Sequence, residues 1–118
     1  MAARVLIIDD DGRFRALART LLEAQGYEVV AEAADRAEAM RASRRIRPDA
    51  ALVDIGLPDT NGFALARELI SEAPGLRVLL TSTDPTLVTR KALTDSGALA
   101  FVAKDRLAVT DLTGWLGG

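Results

Sequence analysis

Four short apolar runs, each closing on a polar side chain, constrain this chain more than any other feature. Val5-Leu6-Ile7-Ile8 runs into Asp9-Asp10-Asp11, and Ala50-Ala51-Leu52-Val53 into Asp54. Val78-Leu79-Leu80 runs into Thr81-Ser82, and Leu99-Ala100-Phe101-Val102 into Ala103-Lys104. Apolar runs of strand length, without alternation, suit strands covered on both faces, as in a parallel sheet flanked by helices. In an open parallel sheet the carboxyl ends of the strands share one edge, where such folds place their active sites. Carboxylates, a hydroxyl and an ammonium are thereby directed to one acidic pocket, suited to a divalent cation.

Helical patterns separate the runs. From Gly12 to Gln25, Phe14, Leu17, Leu21 and Leu22 are assigned to one face, and Gly26 is a natural stop. Tyr27, Val29 and Ala31 alternate with Glu28 and Glu32, the pattern of an edge strand. Asp35 followed by Glu38 is a capping-box-like start to a helix with Ala39, Met40, Ser43 and Ile46 inward, which Pro48-Asp49 ends. After the loop Ile55–Asn61 a helix to about Ala73 carries Phe63, Leu65, Ala66, Leu69 and Ile70. Asp84-Pro85 predicts the cap and first residue of a helix that continues through Leu87, Val88 and Leu93 to about Gly97. A last helix is expected over about Ala108–Leu116, using Leu112, Trp115 and Leu116.

Strict alternation of strands and helices predicts a doubly wound α/β domain with five strands and five helices. The flavodoxin-like strand order 2-1-3-4-5 puts strands one and three side by side at the switch point, and so Asp9 and Asp10 beside Asp54. The 118 residues suit a single domain, 1–118, without repeat or linker.

A net charge of -2 leaves no basic footprint for direct nucleic-acid binding. The arginines at 41, 44, 45 and 47 lie near a helix C-terminus, where the dipole favours cations, and read as a solvated face. Without cysteine there is no thiolate metal site, and without histidine no imidazole base and no phosphohistidine. No apolar run reaches membrane-span length. The first strand starts too early for a signal peptide, so a cytoplasmic location is expected.

Converging carboxylates raise one another's pKa unless a cation compensates. An all-oxygen set with open positions favours Mg2+ over a caged calcium. Asp10, Asp54 and the backbone carbonyl of Gly56 are the expected direct ligands, with Asp9 acting through water. A carboxylate beside magnesium is a competent nucleophile toward phosphorus, and phosphoryl transfer asks mainly for positioning and neutralised equatorial oxygens. Lys104 and the Thr81 hydroxyl are suited to hold two of those oxygens. No general base remains, so the site would transfer phosphate onto itself and release it slowly.

These segments, in this order at strand ends, resemble the receiver domain of two-component response regulators over essentially the whole chain. The resemblance rests on Val5–Asp11, on Asp54-Ile55-Gly56-Leu57-Pro58 with Gly62, on Leu80-Thr81-Ser82, and on Gly97-Ala98 with Phe101-Val102-Ala103-Lys104. It implies that Asp54 is the phospho-acceptor, Asp9 and Asp10 the metal pair, Thr81 the switch hydroxyl, Phe101 the switch aromatic and Lys104 the phosphate-sensing lysine. It further implies a sensor histidine kinase or phosphotransfer protein as donor. The fourth helix, fifth strand and fifth helix are the implied output face, toward an output partner or a phosphorylation-dependent homodimer. Ser82, Ala103 and Phe101 depart from the residues usual in the family. Gly56 and Thr83 offer no acid or amide to orient an attacking water, so fast self-dephosphorylation is not implied.

A second resemblance leads to an enzyme. Ile8-Asp9-Asp10-Asp11-Gly12 is similar to the first motif of haloacid-dehalogenase-type phosphatases, which would make Asp9 the nucleophile and Asp11 the acid. Against it, Arg13 replaces the expected threonine, no later acidic-pair motif follows, and there is no room for a substrate cap. A degenerate receiver used only for binding is a third reading, weakened by the presence of every key side chain. The short last helix and terminal Gly117-Gly118 favour a stand-alone receiver over an excised one.

Overall fold

The computed structural model describes residues 2–115. Five strands form one sheet: β1 (Arg4–Ile8), β2 (Glu28–Ala33), β3 (Ala50–Asp54), β4 (Arg77–Ser82) and β5 (Ala100–Ala103). All neighbours pair in parallel, in the order β2-β1-β3-β4-β5. The α-helices are α1 (Gly12–Ala24), α2 (Arg36–Ile46), α3 (Gly62–Glu72) and α4 (Arg90–Ser96). Two 3-10 helices, Pro85–Leu87 and Lys104–Val109, complete the set, the second ending about where the expected last helix would begin.

The sheet divides the core in two. Leu6, Ile8, Ala51, Val53, Val78 and Leu80 point to the side covered by α2 and α3. Val5, Ile7, Ala50, Leu52 and Leu79 point to the side covered by α1, Leu107, Leu112 and Trp115. Burial on both faces is why these runs carry no polar alternation.

Edge strand β2 departs from the simple alternation expected of it. The register with β1 slips between Val5 and Leu6, which pair with Val29 and Ala31, so Val30 has no counterpart. That bulge sends Val29 to the α1 side and Ala31 to the α2 side, although two residues apart they would normally share a face.

Side-chain caps start the helices. Asp11 accepts from Arg13 N, Asp35 from Glu38 N and Asn61 from Ala64 N. In α1 the buried line is Phe14, Ala18 and Leu22, and Leu17 is 49% exposed. Leu17 is turned about 100° from Ala18, which is small enough to let the helix close onto the sheet. The helix expected from Pro85 is broken. Val88 is extended, and Thr89 caps a fresh start by accepting from Ala92 N.

The last helix does not form over Ala108–Thr113. The turns of the 3-10 helix end at Val109, and residues 110–115 run as a strap held by side chains. Gln25 donates to the Thr110 carbonyl at 3.0 Å and accepts from Leu112 N at 2.7 Å. The Tyr27 hydroxyl donates to the Leu112 carbonyl, and Arg77 donates to the Trp115 carbonyl at 3.1 Å. Backbone groups that a helix would pair internally are thus satisfied from outside. Leu112 and Trp115 are buried as expected; Leu116 lies outside the described residues.

Candidate functional site

The sheet register sets four polar groups level. Ile8 pairs with Val53, Asp54 with Thr81, and Thr81 with Val102, so Asp9, Asp54, Thr81 and Lys104 emerge at one edge. Asp9 and Asp54 are 1% and 6% exposed, while Asp10 is exposed. One carboxylate oxygen from each of Asp9, Asp10 and Asp54 lies within 4.8 Å of the others. Such a set of hard oxygen donors fits a divalent cation.

Lys104 enters this group from the end of β5. Its Nζ lies 2.7 Å from Asp9 Oδ2, 3.4 Å from Asp54 Oδ2 and 4.5 Å from the centroid of the Phe14 ring. Burial pushes the Asp9 carboxyl above its usual range, and the charge of Asp54 adds to this; the bonds from Lys104 and Asp11 N–H oppose it without cancelling it. Burial works against the Lys104 ammonium, but the bond to Asp9 and the charges of Asp54 and Asp9 more than offset that and raise its pKa. The lysine is therefore firmly cationic.

Backbone donors fix the carboxylates. Asp11 N donates to Asp9 Oδ1 at 2.9 Å, and Gly56 N to Asp54 Oδ1 at 3.1 Å. The loop after β3 is closed by a bridge between Gly56 and Asn61, and Gly62 N donates to the Ile55 carbonyl at 3.0 Å. A Cβ on Gly62 would fall 2.5 Å from the Asp54 carbonyl oxygen and from Ile55 Cα, so only glycine lets α3 start this close to Asp54.

Thr81 is 1% exposed, and its buried Oγ1 has no hydrogen-bond partner among the described residues. An unpaired buried hydroxyl is costly and is available to an oxygen acceptor delivered beside Asp54. Phe101 is half-buried against the α2–α3 side of the core, with Val88 and Leu93 as fellow members of its rim. Ser82 is occupied within its own turn, accepting from Asp84 N at 3.0 Å.

Asp11 is exposed, and its carboxylate is used in capping α1. The Asp9–Asp11 pairing needed for a haloacid-dehalogenase-type phosphatase is therefore not assembled. Two site neighbours were not legible in sequence. Phe14 reads as an ordinary core residue, yet its ring faces Lys104. Arg15 reads as a solvated arginine, yet its Nη1 donates to the Asp9 carbonyl at 2.5 Å while its Nε donates to Glu32 at 3.0 Å. No local pattern distinguishes these two from other helix residues.

A family model described as the response regulator receiver domain matches residues 5–113. The transcription regulator BvgA of Bordetella pertussis is 38% identical over 105 residues, covering 88% of this chain and 50% of BvgA. The chain thus spans about half the length of that relative. The chemotaxis protein CheY of Thermotoga maritima is 29% identical over 104 residues, covering 88% of this chain and 87% of CheY. A LuxR-family two-component response regulator from Aurantimonas sp. SI85-9A1 superposes with a TM-score of 0.79 at 32% identity, covering 88% of this chain and 75% of that one. None of these similarities supports the phosphatase alternative.

Proposed function

The chain belongs to the response regulator receiver domains of two-component signalling, and we propose that Asp54 is its phospho-acceptor, charged by the phosphohistidine of a sensor histidine kinase or phosphotransfer protein. The observation that carries this reading is the meeting at Asp54 of a cationic Lys104 and an unpaired, buried Thr81 hydroxyl. In the transfer, an Asp54 carboxylate oxygen bonds to phosphorus as the P–N bond breaks. The imidazole nitrogen keeps the electron pair and takes up a proton. Gly56 N–H holds the other Asp54 oxygen and so orients the nucleophile.

Mg2+, held by Asp10, Asp54 and the Gly56 carbonyl with Asp9 through water, would neutralise the crowded carboxylates and one phosphoryl oxygen. Lys104 and Thr81 take the remaining negative charge. A new dianion at Asp54 gives the Thr81 hydroxyl the acceptor it lacks and draws the Lys104 ammonium from Asp9. Thr81 pairs with Val102, the neighbour of Phe101, and Lys104 follows Phe101 three residues on, at the end of β5. The output face proposed is α4, β5 and the Lys104–Val109 helix, where Leu99 and Val109 are exposed. It is suited to an output partner or a second phosphorylated copy.

The protein is read as a regulatory phospho-acceptor whose only chemistry is on itself, with residues 1–118 as one receiver unit. No helix among the described residues is long and apolar enough to cross a membrane, which agrees with the proposed cytoplasmic setting. Incubation with acetyl phosphate and magnesium, followed by peptide mass spectrometry, tests the assignment. One phosphoryl group on Asp54, absent in Asp54→Ala, is expected; label on Asp9 would overturn it.

A further inference from the structure

We propose that the Phe14 ring is the resting seat of the Lys104 ammonium, a positioning residue that holds the lysine on Asp9 and so sets how readily the acidic cluster accepts a divalent cation. The inference rests on reading Asp9, Asp10 and Asp54 as a cation site. Lys104 Nζ is 4.5 Å from the ring centroid, inside the range of about 6 Å in which an aromatic face attracts a cation. Asp9 Oδ2 and Asp54 Oδ2 approach the same ammonium at 2.7 and 3.4 Å, and the lysine side chain is only 14% exposed. The ring closes a side of the ammonium that water would otherwise solvate.

The ring and Asp9 are held by the same helix. Phe14 lies in the first turn of α1, which the Asp11 cap fixes to the end of β1. The adjacent Arg15 grips the Asp9 carbonyl from that turn. Ring, carboxylate and ammonium therefore form one unit with little freedom to separate. A divalent cation entering among Asp9, Asp10 and Asp54 meets a positive charge already placed on Asp9. The stronger the seat, the more that charge opposes entry. An aliphatic side chain at position 14 would fill space but would lack the negative ring face.

Fluorinated phenylalanines at position 14 test this in the intact chain, because ring fluorination withdraws charge from the face with little change of shape. Magnesium affinity is read by calorimetry at fixed pH and ionic strength, and the Lys104 methylene protons by NMR in metal-free protein. A ring-current shift of those protons is expected in the parent. Magnesium should bind progressively tighter along the series, by about two- to fivefold at its end. Phe14→Leu should follow the same direction, and the gain should vanish in a Lys104→Met background. A flat series, a gain that persists without Lys104, or an unshifted Lys104 would overturn the proposal. No magnesium heat in the parent would sink the cation reading and this role with it, whereas binding with a flat series would sink the role of the ring alone.

Discussion

The Lys104 ammonium lies 2.7 Å from Asp9 Oδ2 and 3.4 Å from Asp54 Oδ2, so at rest the lysine is ion-paired with both carboxylates and sits nearer the one that follows β1 than the one that ends β3. The same ammonium that is suited to grip a phosphoryl group on Asp54 first acts as counter-ion to a buried Asp9. In the proposed phosphorylation, metal, phosphate and lysine would be linked through this one pair of carboxylates.

Lys104→Met should destabilise the metal-free protein at pH 7. Removing one partner of a buried pair costs about 3–5 kcal/mol. The 14% exposure of the lysine and the ability of Asp9 to take up a proton reduce the expectation to about 2 kcal/mol. Urea denaturation measures it, and millimolar magnesium should recover most of the loss. Phosphorylation of Asp54 should persist, while NMR shifts over residues 81 to 105 shrink. An undiminished response there would remove Lys104 as phosphate sensor.

Thr81→Val should stabilise the unphosphorylated protein. The substitution keeps the β-branched shape that suits β4 and deletes a buried hydroxyl without a partner. A gain of about 1 kcal/mol is expected, visible as a higher Tm. The cost should appear on phosphorylation, where the β4 amides no longer respond. A less stable variant would mean that Thr81 is already satisfied at rest.

Gly62→Ala should be severe. Its Cβ would meet backbone atoms of Asp54 and Ile55 rather than a movable side chain. A loss of about 2–3 kcal/mol is expected from forced overpacking, with the Gly56–Asn61 bridge disturbed and phosphorylation of Asp54 slowed. Equilibrium unfolding and labelling kinetics check the two effects together.

Acid should weaken the ion pairing of Glu32 in β2 with Arg15 and Arg19 in α1. Burial alone would raise the Glu32 pKa, but the bonds from Arg19 and Arg15 outweigh it and hold the carboxyl below its ordinary value. A depressed folded-state pKa contributes stability above the unfolded value of about 4.3. That contribution is lost as the pH falls through the folded value. The parent should therefore lose its advantage over Glu32→Gln as pH drops below about 4.3, in Tm scans at low ionic strength. Parallel pH profiles would show that the pair contributes nothing.

Much of this protein is carried by local pattern. Unbroken apolar runs at 5–8, 50–53 and 78–80 demand a sheet covered on both sides, and parallel connection sends Asp9, Asp54, Thr81 and Lys104 to one edge. The cap at Asp35 was equally legible, because a capping side chain acts on backbone two or three residues away. Tertiary structure decided what local pattern leaves free. The Val30 bulge turns β2 because each half must face a different layer. Leu17 stays outside because Ala18 allows closer approach. Residues 110–115 remain a strap because Gln25, Tyr27 and Arg77 capture their backbone from distant parts of the chain. Lys104 rests on Asp9 and Phe14 for the same reason. Helix and strand periodicity report neighbours in sequence, whereas these arrangements are settled by which partners a side chain meets across tens of residues.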